Sequence, residues 1–251
     1  MITLIELTKK FGAFTAVDRL NLTVSQGEMF GFLGPNGAGK TTTLKMMAGV
    51  LKPTGGSVII DNKDMSDNPL ECKKVIGFIP DRPFLYEKLT GREVLQFIAG
   101  IYGLSQDGLP KRMEQLFELF EIGSWRDELV ESYSHGMKQR LVMTTALIHQ
   151  PKAIIVDEPM VGLDPRAAKL VKRIFRSLCK KGMTVFMSTH TLQVAEEMCD
   201  RIGIIHQGKL IAVGTMQDLR EMSGMQAEEL EDVYFKLTGA EEFEESVEIG
   251  L

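Results

Sequence analysis

At 251 residues the chain has room for one large domain, or for one domain carrying an inserted lobe. Its 44% hydrophobic and 25% charged residues suit a globular protein with a sizeable core, and a net charge of −5 argues against nucleic acid as a main partner. No window approaches the roughly 18 uninterrupted apolar residues needed to cross a bilayer, and Met1 opens an amphipathic segment rather than a basic region leading to an apolar signal core. The chain is expected neither to span a membrane nor to carry a secretion signal.

The first stretch reads as strands. Ile2, Leu4 and, after a break, Leu7 alternate in part, while Leu20, Leu22 and Val24 alternate cleanly with polar neighbours. Ser25-Gln26-Gly27-Glu28 supplies a turn into the apolar run Met29–Leu33, whose continuity fits a strand buried on both faces. A glycine-rich stretch follows at once, and residues 42–50 continue as a helix. Val75-Ile76-Gly77-Phe78-Ile79-Pro80 reads as a further strand.

Residues 84–135 change character. Val94, Phe97, Ile98 and Ile101 recur at helical spacing, as do Met113, Leu116, Phe117 and Phe120, with Gly103, Gly108 and Pro110 as punctuation. A mainly helical lobe, inserted at about 84–140 between two halves of an α/β core, is therefore expected. The α/β alternation then resumes with a helix over 137–148, a strand over 153–156, a helix over 166–181 ended by Gly182, and a strand over 184–187. Residues 202–206 and 209–213 flank Gln207-Gly208, which predicts a two-residue hairpin. From Thr215 the chain turns acidic and Met-rich, predicting a helical extension over 215–251 with a frayed end from Glu241. Cys72, Cys179 and Cys199 are an odd set without Cys-x-x-Cys spacing and read as buried, reduced thiols of a cytosolic protein.

Two motifs carry chemistry. Gly34-Pro35-Asn36-Gly37-Ala38-Gly39-Lys40-Thr41, continued by Thr42, matches G-x-x-x-x-G-K-[ST] in full. Glycines let successive backbone N–H groups turn inward around phosphate oxygens at a helix N-terminus. Lys40 then reaches the terminal phosphates, and the Thr41 hydroxyl can ligate Mg²⁺. Further on, Ile154-Ile155-Val156 is a buried-strand run ending in Asp157-Glu158. A carboxylate at the carboxyl end of a parallel strand sits where open α/β sheets bind ligands. Asp157 can hold Mg²⁺, and Glu158 can polarise a water in line with the γ-phosphate of ATP.

Just before that strand lies Tyr133-Ser134-His135-Gly136-Met137-Lys138-Gln139-Arg140. It resembles the signature motif of the ABC (ATP-binding cassette) ATPases, usually Leu-Ser-Gly-Gly-Gln followed by a basic helix. Tyr133, His135 and Met137 replace the usual Leu, first Gly and Gln. Taken alone, Ser134 also reads as a plain helix N-cap. The resemblance covers about residues 2–214. It implies a P-loop NTPase core with an N-terminal antiparallel β subdomain and an inserted helical subdomain. It also implies that Ser134 and Gly136 contact ATP held by the opposite subunit, that Phe11 stacks on adenine, and that His190 is a switch contacting the γ-phosphate. Val161-Gly162-Leu163-Asp164 matches the loop through which paired subunits communicate. Asp81 stands where the family usually has Gln; its carboxylate can still ligate Mg²⁺ or hold water, but it only accepts hydrogen bonds and adds negative charge.

By the same resemblance the chain is expected to be the Mg²⁺-dependent ATPase subunit of a transporter. It would work in the cytoplasm on the inner face of the cell membrane, with a second cassette and a separate membrane permease as partners. Residues 81–87 and the helix after them are the expected docking surface. Leu230 to Gly239 resembles the ending of many bacterial export-type cassettes. A soluble ABC ATPase acting on a non-membrane partner is the alternative, and an ATP-holding module without turnover a third.

Overall fold

The apolar run at 29–33 is buried at every position, and so are residues 153–157 and 184–189. Strands covered on both faces belong in the middle of a parallel sheet with layers on either side. The computed structural model, which describes residues 1–82, 84–224 and 230–239, has this arrangement. The first half of the chain contains β1 (Ile2–Phe11), β2 (Phe14–Val24), β3 (Met29–Leu33), α1 (Lys40–Met47), β4 (Gly55–Ile60), β5 (Lys63–Asp64), α2 (Pro69–Lys74) and β6 (Ile76–Ile79). Three helices follow: α3 (Gly91–Ile101), α4 (Leu109–Leu119) and α5 (His135–Leu147). The second half adds β7 (Ala153–Asp157), α6 (Pro165–Lys180), β8 (Thr184–Thr189), α7 (Leu192–Met198), β9 (Arg201–His206), β10 (Lys209–Gly214), α8 (Met216–Ser223) and α9 (Leu230–Thr238).

The main sheet has the order β10-β9-β3-β8-β7-β6, parallel throughout except for β10. A second, antiparallel sheet, β2-β1-β4-β5, stands over one face of it. Side chains alternate between the faces with period two. Phe30, Phe32, Ile155 and Phe186 join Leu44 and the antiparallel sheet in one core, where Phe30 and Phe186 stack at 5.3 Å. Ile154, Val156, Val185 and Met187 point the other way, into a core shared with α3 to α6 through residues such as Phe117, Phe120, Val171 and Phe175. The mixed α/β class with an antiparallel β subdomain thus agrees with the expectation.

Local chemistry sets the helix boundaries. Gly39 in the left-handed region precedes α1, which begins at Lys40, two residues earlier than the sequence pattern predicts. Ser134 caps α5, its hydroxyl accepting from Met137 N–H, and the helix begins at His135 rather than Met137. Gly182, at φ 91°, follows the last turn of α6 as expected. Gln207 and Gly208 both have positive φ, the requirement of the tight turn that joins β9 to β10.

Some expectations need correction. Among the four residues assigned to one stripe of α3, Val94 is buried, but Phe97 and Ile101 are 43% and 64% exposed. Leu95 and Ala99 are buried with Val94 instead, because α4 and α5 pack on that side. The stripe at Met113, Leu116, Phe117 and Phe120 is buried as expected. The elements β4, β5 and α2 have no counterpart in the sequence reading. In the extension, α9 buries Leu230 and Val233 against β9, β10, α7 and α8; the fraying expected from Glu241 lies outside the described residues. Cys72 is buried, and Cys179 and Cys199 are half-buried. Burial pushes the Cys179 thiol up to about 11 and that of Cys199 up to about 12, so both stay protonated at neutral pH.

Candidate functional site

Parallel register brings the functional segments together at one edge of the sheet. Leu33 pairs with Thr189 and Asp157 with Ser188, while Ile79 lies beside Val156. The chain leaving each of these strands therefore emerges next to the others: the glycine loop after β3, Glu158 after β7, His190 after β8 and Asp81 after β6.

The loop after β3 is shaped by close packing. A Cβ on Gly34 would collide with the Ile205 carbonyl oxygen. One on Gly39 would lie 2.5 Å from the Ala16 carbonyl oxygen, at a φ of 108°. Neither position has room for a side chain, so the backbone can hold the tight concave path that presents N–H groups outward. The same geometry explains why Gly39 can cap α1 without a side chain.

Lys40 is 94% covered, its exposure being 6%. Its ammonium donates to the carbonyls of Gly34 at 2.6 Å and Pro35 at 3.1 Å, and lies 3.8 Å from Glu158 Oε1. Burial pulls its pKa below the ordinary value, against the upward pull of the Glu158 and Asp157 carboxylates. A group already desolvated beside the loop meets a phosphate with little further loss of hydration.

Thr41 Oγ1 donates to Asp157 Oδ2 at 2.7 Å, and Ser188 Oγ donates to Asp157 Oδ1. Asp157 is thus held at both oxygens and is 2% exposed. Glu158 takes a φ of 49°, a left-handed conformation costing a non-glycine residue on the order of 1–3 kcal/mol. Its N–H is fixed by the Ser188 carbonyl and hydroxyl oxygens at 3.3 and 3.2 Å. Its Oε1 lies 2.8 Å from His190 Nδ1. Strain held by surrounding hydrogen bonds aims the Glu158 carboxylate at both Lys40 and His190.

Beside them lies a cleft of about 360 Å³, lined by Phe11, Phe14, Ala16, Pro35, Asn36, Gly37, Gly39, Lys40, Thr41, Thr42, Asp81, Asp157 and Glu158; His190 is not in the lining and is tied to it through Glu158. Phe11 is half-exposed at the end of β1, with Lys9 Nζ 5.1 Å from its ring centre. Ala38 is buried beneath the loop. A larger cleft of about 540 Å³ lies at the opposite end of the strands, lined by residues such as Met1, Pro151, Lys152 and Met183. It holds none of the candidate site residues, and open α/β sheets bind ligands at the carboxyl ends of their strands. The smaller cleft is the candidate site.

Three expected residues stand apart from it. Ser134 and Gly136 lie at the start of α5, and Asp164 caps α6 by accepting from Ala167 N–H at 2.9 Å. None of them lines the cleft. Two residues that sequence reasoning missed do belong: Phe14, directly opposite Phe11 across the β1–β2 turn, and Ser188, which anchors Asp157. An aromatic two residues beyond Gly12 was a readable signal for Phe14. Nothing local distinguishes Ser188, which matters only through its register with Asp157.

Known proteins match this arrangement. The ABC transporter family model matches residues 17–161, more than half of the chain. YbhF of Escherichia coli, named as a probable multidrug ABC transporter ATP-binding protein, is 40% identical over 87% of this chain and 38% of its own length. The bacitracin transport ATP-binding protein BcrA of Bacillus licheniformis is 42% identical over 82% of this chain and 67% of its own. The chain thus spans well under half of the one relative and about two thirds of the other. A solved ATP-binding subunit of an ABC transporter superposes with a TM-score of 0.89 at 33% identity, over 95% of this chain and 99% of that one. A dimeric cassette in a post-hydrolysis state with ADP and Pi bound superposes at 0.79 with 27% identity, over 86% of this chain and 99% of that one. On the strength of the matched family model and of these relatives, the chain belongs to the ABC transporter ATP-binding family, whose members are ATPases.

Proposed function

We propose that the chain is the ATP-hydrolysing subunit of a transporter that works with a separate membrane permease, in the direction of export. The observation that carries the reading is the convergence of the Lys40 loop, the Thr41–Asp157 pair and the Glu158–His190 pair on one cleft at the strand ends. In this assignment the glycine loop, Lys40 and Thr42 grip the phosphates and Phe11 stacks on the adenine. Glu158 orients the attacking water, and His190, bonded to it, contacts the γ-phosphate. The domain responsible spans 1–214, with 215–251 as an extension.

Mg²⁺ fits the donor set. Thr41 and Asp157 offer adjacent oxygen ligands, with Asp81 on the same wall. Among the described residues there is no group of three or more His, Cys, Asp or Glu that could hold a metal unaided. Thr41 and Asp157 would hold an ion that takes its remaining ligands from substrate phosphates and water. Bound there, it would supply positive charge that offsets the negative charge developing on the phosphates.

Ser134 and Gly136 lie outside the cleft of their own chain, as expected of groups that serve ATP held by a second cassette. A Cβ on Gly136 would meet only ordinary contacts, 3.7 Å from Leu163 Cδ2 and 3.9 Å from the Gly162 carbonyl oxygen. Two cassettes closing head to tail would complete each other's sites, and loss of the γ-phosphate would release them. A ligand drives such a change only through its different affinity for the two states.

Among the described residues no helix is long and apolar enough to cross a membrane; in the proposed assembly a second chain supplies the permease. Its docking surface would be residues 81–87 and α3, where Phe84, Tyr86, Phe97 and Ile101 are exposed and the three aromatic rings pack edge to face; Pro83 lies outside the described residues. In support of export, YbhF is named for multidrug transport and BcrA for bacitracin transport. Such a subunit would sit in the cytoplasm, on the inner face of the cell membrane. Affinity purification from detergent-solubilised membranes, followed by phosphate-release assays, tests the reading. An integral membrane protein should copurify and stimulate hydrolysis. Turnover with no membrane partner would favour a soluble ATPase instead.

A further inference from the structure

The start of α5 and the loop after Glu158 meet within one chain. A Cβ added to Gly162 would lie 2.5 Å from His135 Nε2 and collide with Cδ2 of the same ring. The imidazole therefore occupies the space that a side chain at position 162 would need. The neighbouring positions approach each other too, since Leu163 and the Gly162 carbonyl are the groups nearest Gly136. From Gly162 the path back to Glu158 is short and internally bonded. Val161 N–H donates to the Glu158 carbonyl at 3.2 Å, and Leu163 N–H to the Met160 carbonyl at 3.3 Å. Glu158, in its left-handed conformation, is held there by its neighbours rather than by backbone preference. A shift of Gly162 would be felt at Glu158.

His135 is exposed, stands between Ser134 and Gly136, and occupies a position where the signature motif usually has glycine. A glycine has no side chain with which to pack on the loop. We propose that His135 is a positioning residue that couples the two ATP sites of a cassette pair, by holding the Glu158 loop against the start of α5. The inference rests on the composite-site reading given above. In that arrangement Ser134 and Gly136 face the partner's nucleotide, whereas Glu158 faces the chain's own. The ring joins the two through a single protomer. The two states that both nucleotides bias are the ring seated on Gly162 and the ring displaced from it.

Steady-state hydrolysis by the full chain, measured as a function of ATP concentration, tests this. The unsubstituted chain should show a Hill coefficient rising from 1 toward about 2, the limit for a pair of sites. His135→Ala should return it to about 1 and lower kcat about 2- to 30-fold. The affinity of the monomeric chain for a fluorescent ATP analogue should stay the same, as should its melting temperature. His135→Phe keeps a ring over Gly162 without imidazole N–H groups, and should retain cooperativity. Cooperativity unchanged in His135→Ala overturns the proposal. Cooperativity lost in both variants also overturns it, in favour of a direct hydrogen bond from the imidazole. Absence of hydrolysis or pairing in the unsubstituted chain overturns the composite-site reading along with the proposal, and is seen before any variant is made.

Discussion

At the scale of single residues, the site depends on charges whose surroundings are already arranged. Lys40 sits among loop carbonyls and the Glu158 and Asp157 carboxylates, and burial works against its charged form. Lys40→Ala removes the point charge facing the phosphates and leaves Glu158 and Asp157 without a nearby cation. Affinity for ATP should fall by at least about tenfold, the equivalent of one strong charged contact; calorimetric titration showing unchanged affinity would count against the loop assignment. Glu158→Gln keeps the shape of the side chain and its approach to His190 but not its basicity. Binding should persist while phosphate release slows about 100-fold or more, and size-exclusion chromatography with ATP should reveal an accumulated dimer. Full turnover in that variant would remove Glu158 from the chemistry.

At the scale of elements, caps set where functional groups begin. Ser134 and Asp164 are each the N-cap of a helix in their own chain, and both are also expected to meet a partner. The two roles can be separated. Asp164→Ala removes the acceptor for Ala167 N–H and should cost about 1 kcal/mol, read from the urea midpoint. Asp164→Asn supplies an equally good cap without the charge, so stability should be kept. If the charge matters between subunits, cooperativity of hydrolysis should fall in the Asn variant despite unchanged stability. The element α3 teaches a related lesson. Helical spacing identified it, but two overlapping apolar faces fit the same period. Packing by α4 and α5 chose Val94, Leu95 and Ala99 for the core and left Phe97 and Ile101 outside.

At the scale of the whole molecule, that choice leaves exposed aromatic side chains beside the strand end that leads to Asp81. Phe84 is 83% and Phe97 43% exposed, and both contact the ring of Tyr86. Phe84→Asp with Phe97→Asp should leave the hydrolysis of the isolated chain within about twofold, since surface changes away from the site perturb the fold little. Copurification with a membrane partner should be lost. Retained capture would move the docking surface elsewhere.

Much of this was readable one segment at a time. The glycine loop, the Asp157–Glu158 strand end, the Ser134 cap, the two-residue hairpin and the α/β alternation are local patterns, and each reflects a backbone or burial requirement of a few adjacent residues. The antiparallel sheet was less legible beyond its first two strands, because β4 and β5 are short and take their place only by pairing with β1 and with each other. Sequence by itself determined which residues could cradle a phosphate and which carboxylates could stand nearby, since both follow from residue type and close spacing. Only the tertiary structure decided that Ser188 anchors Asp157 and that His135 rests on Gly162. Those contacts join segments distant along the chain, and sheet register and helix packing, not local preference, bring them within reach.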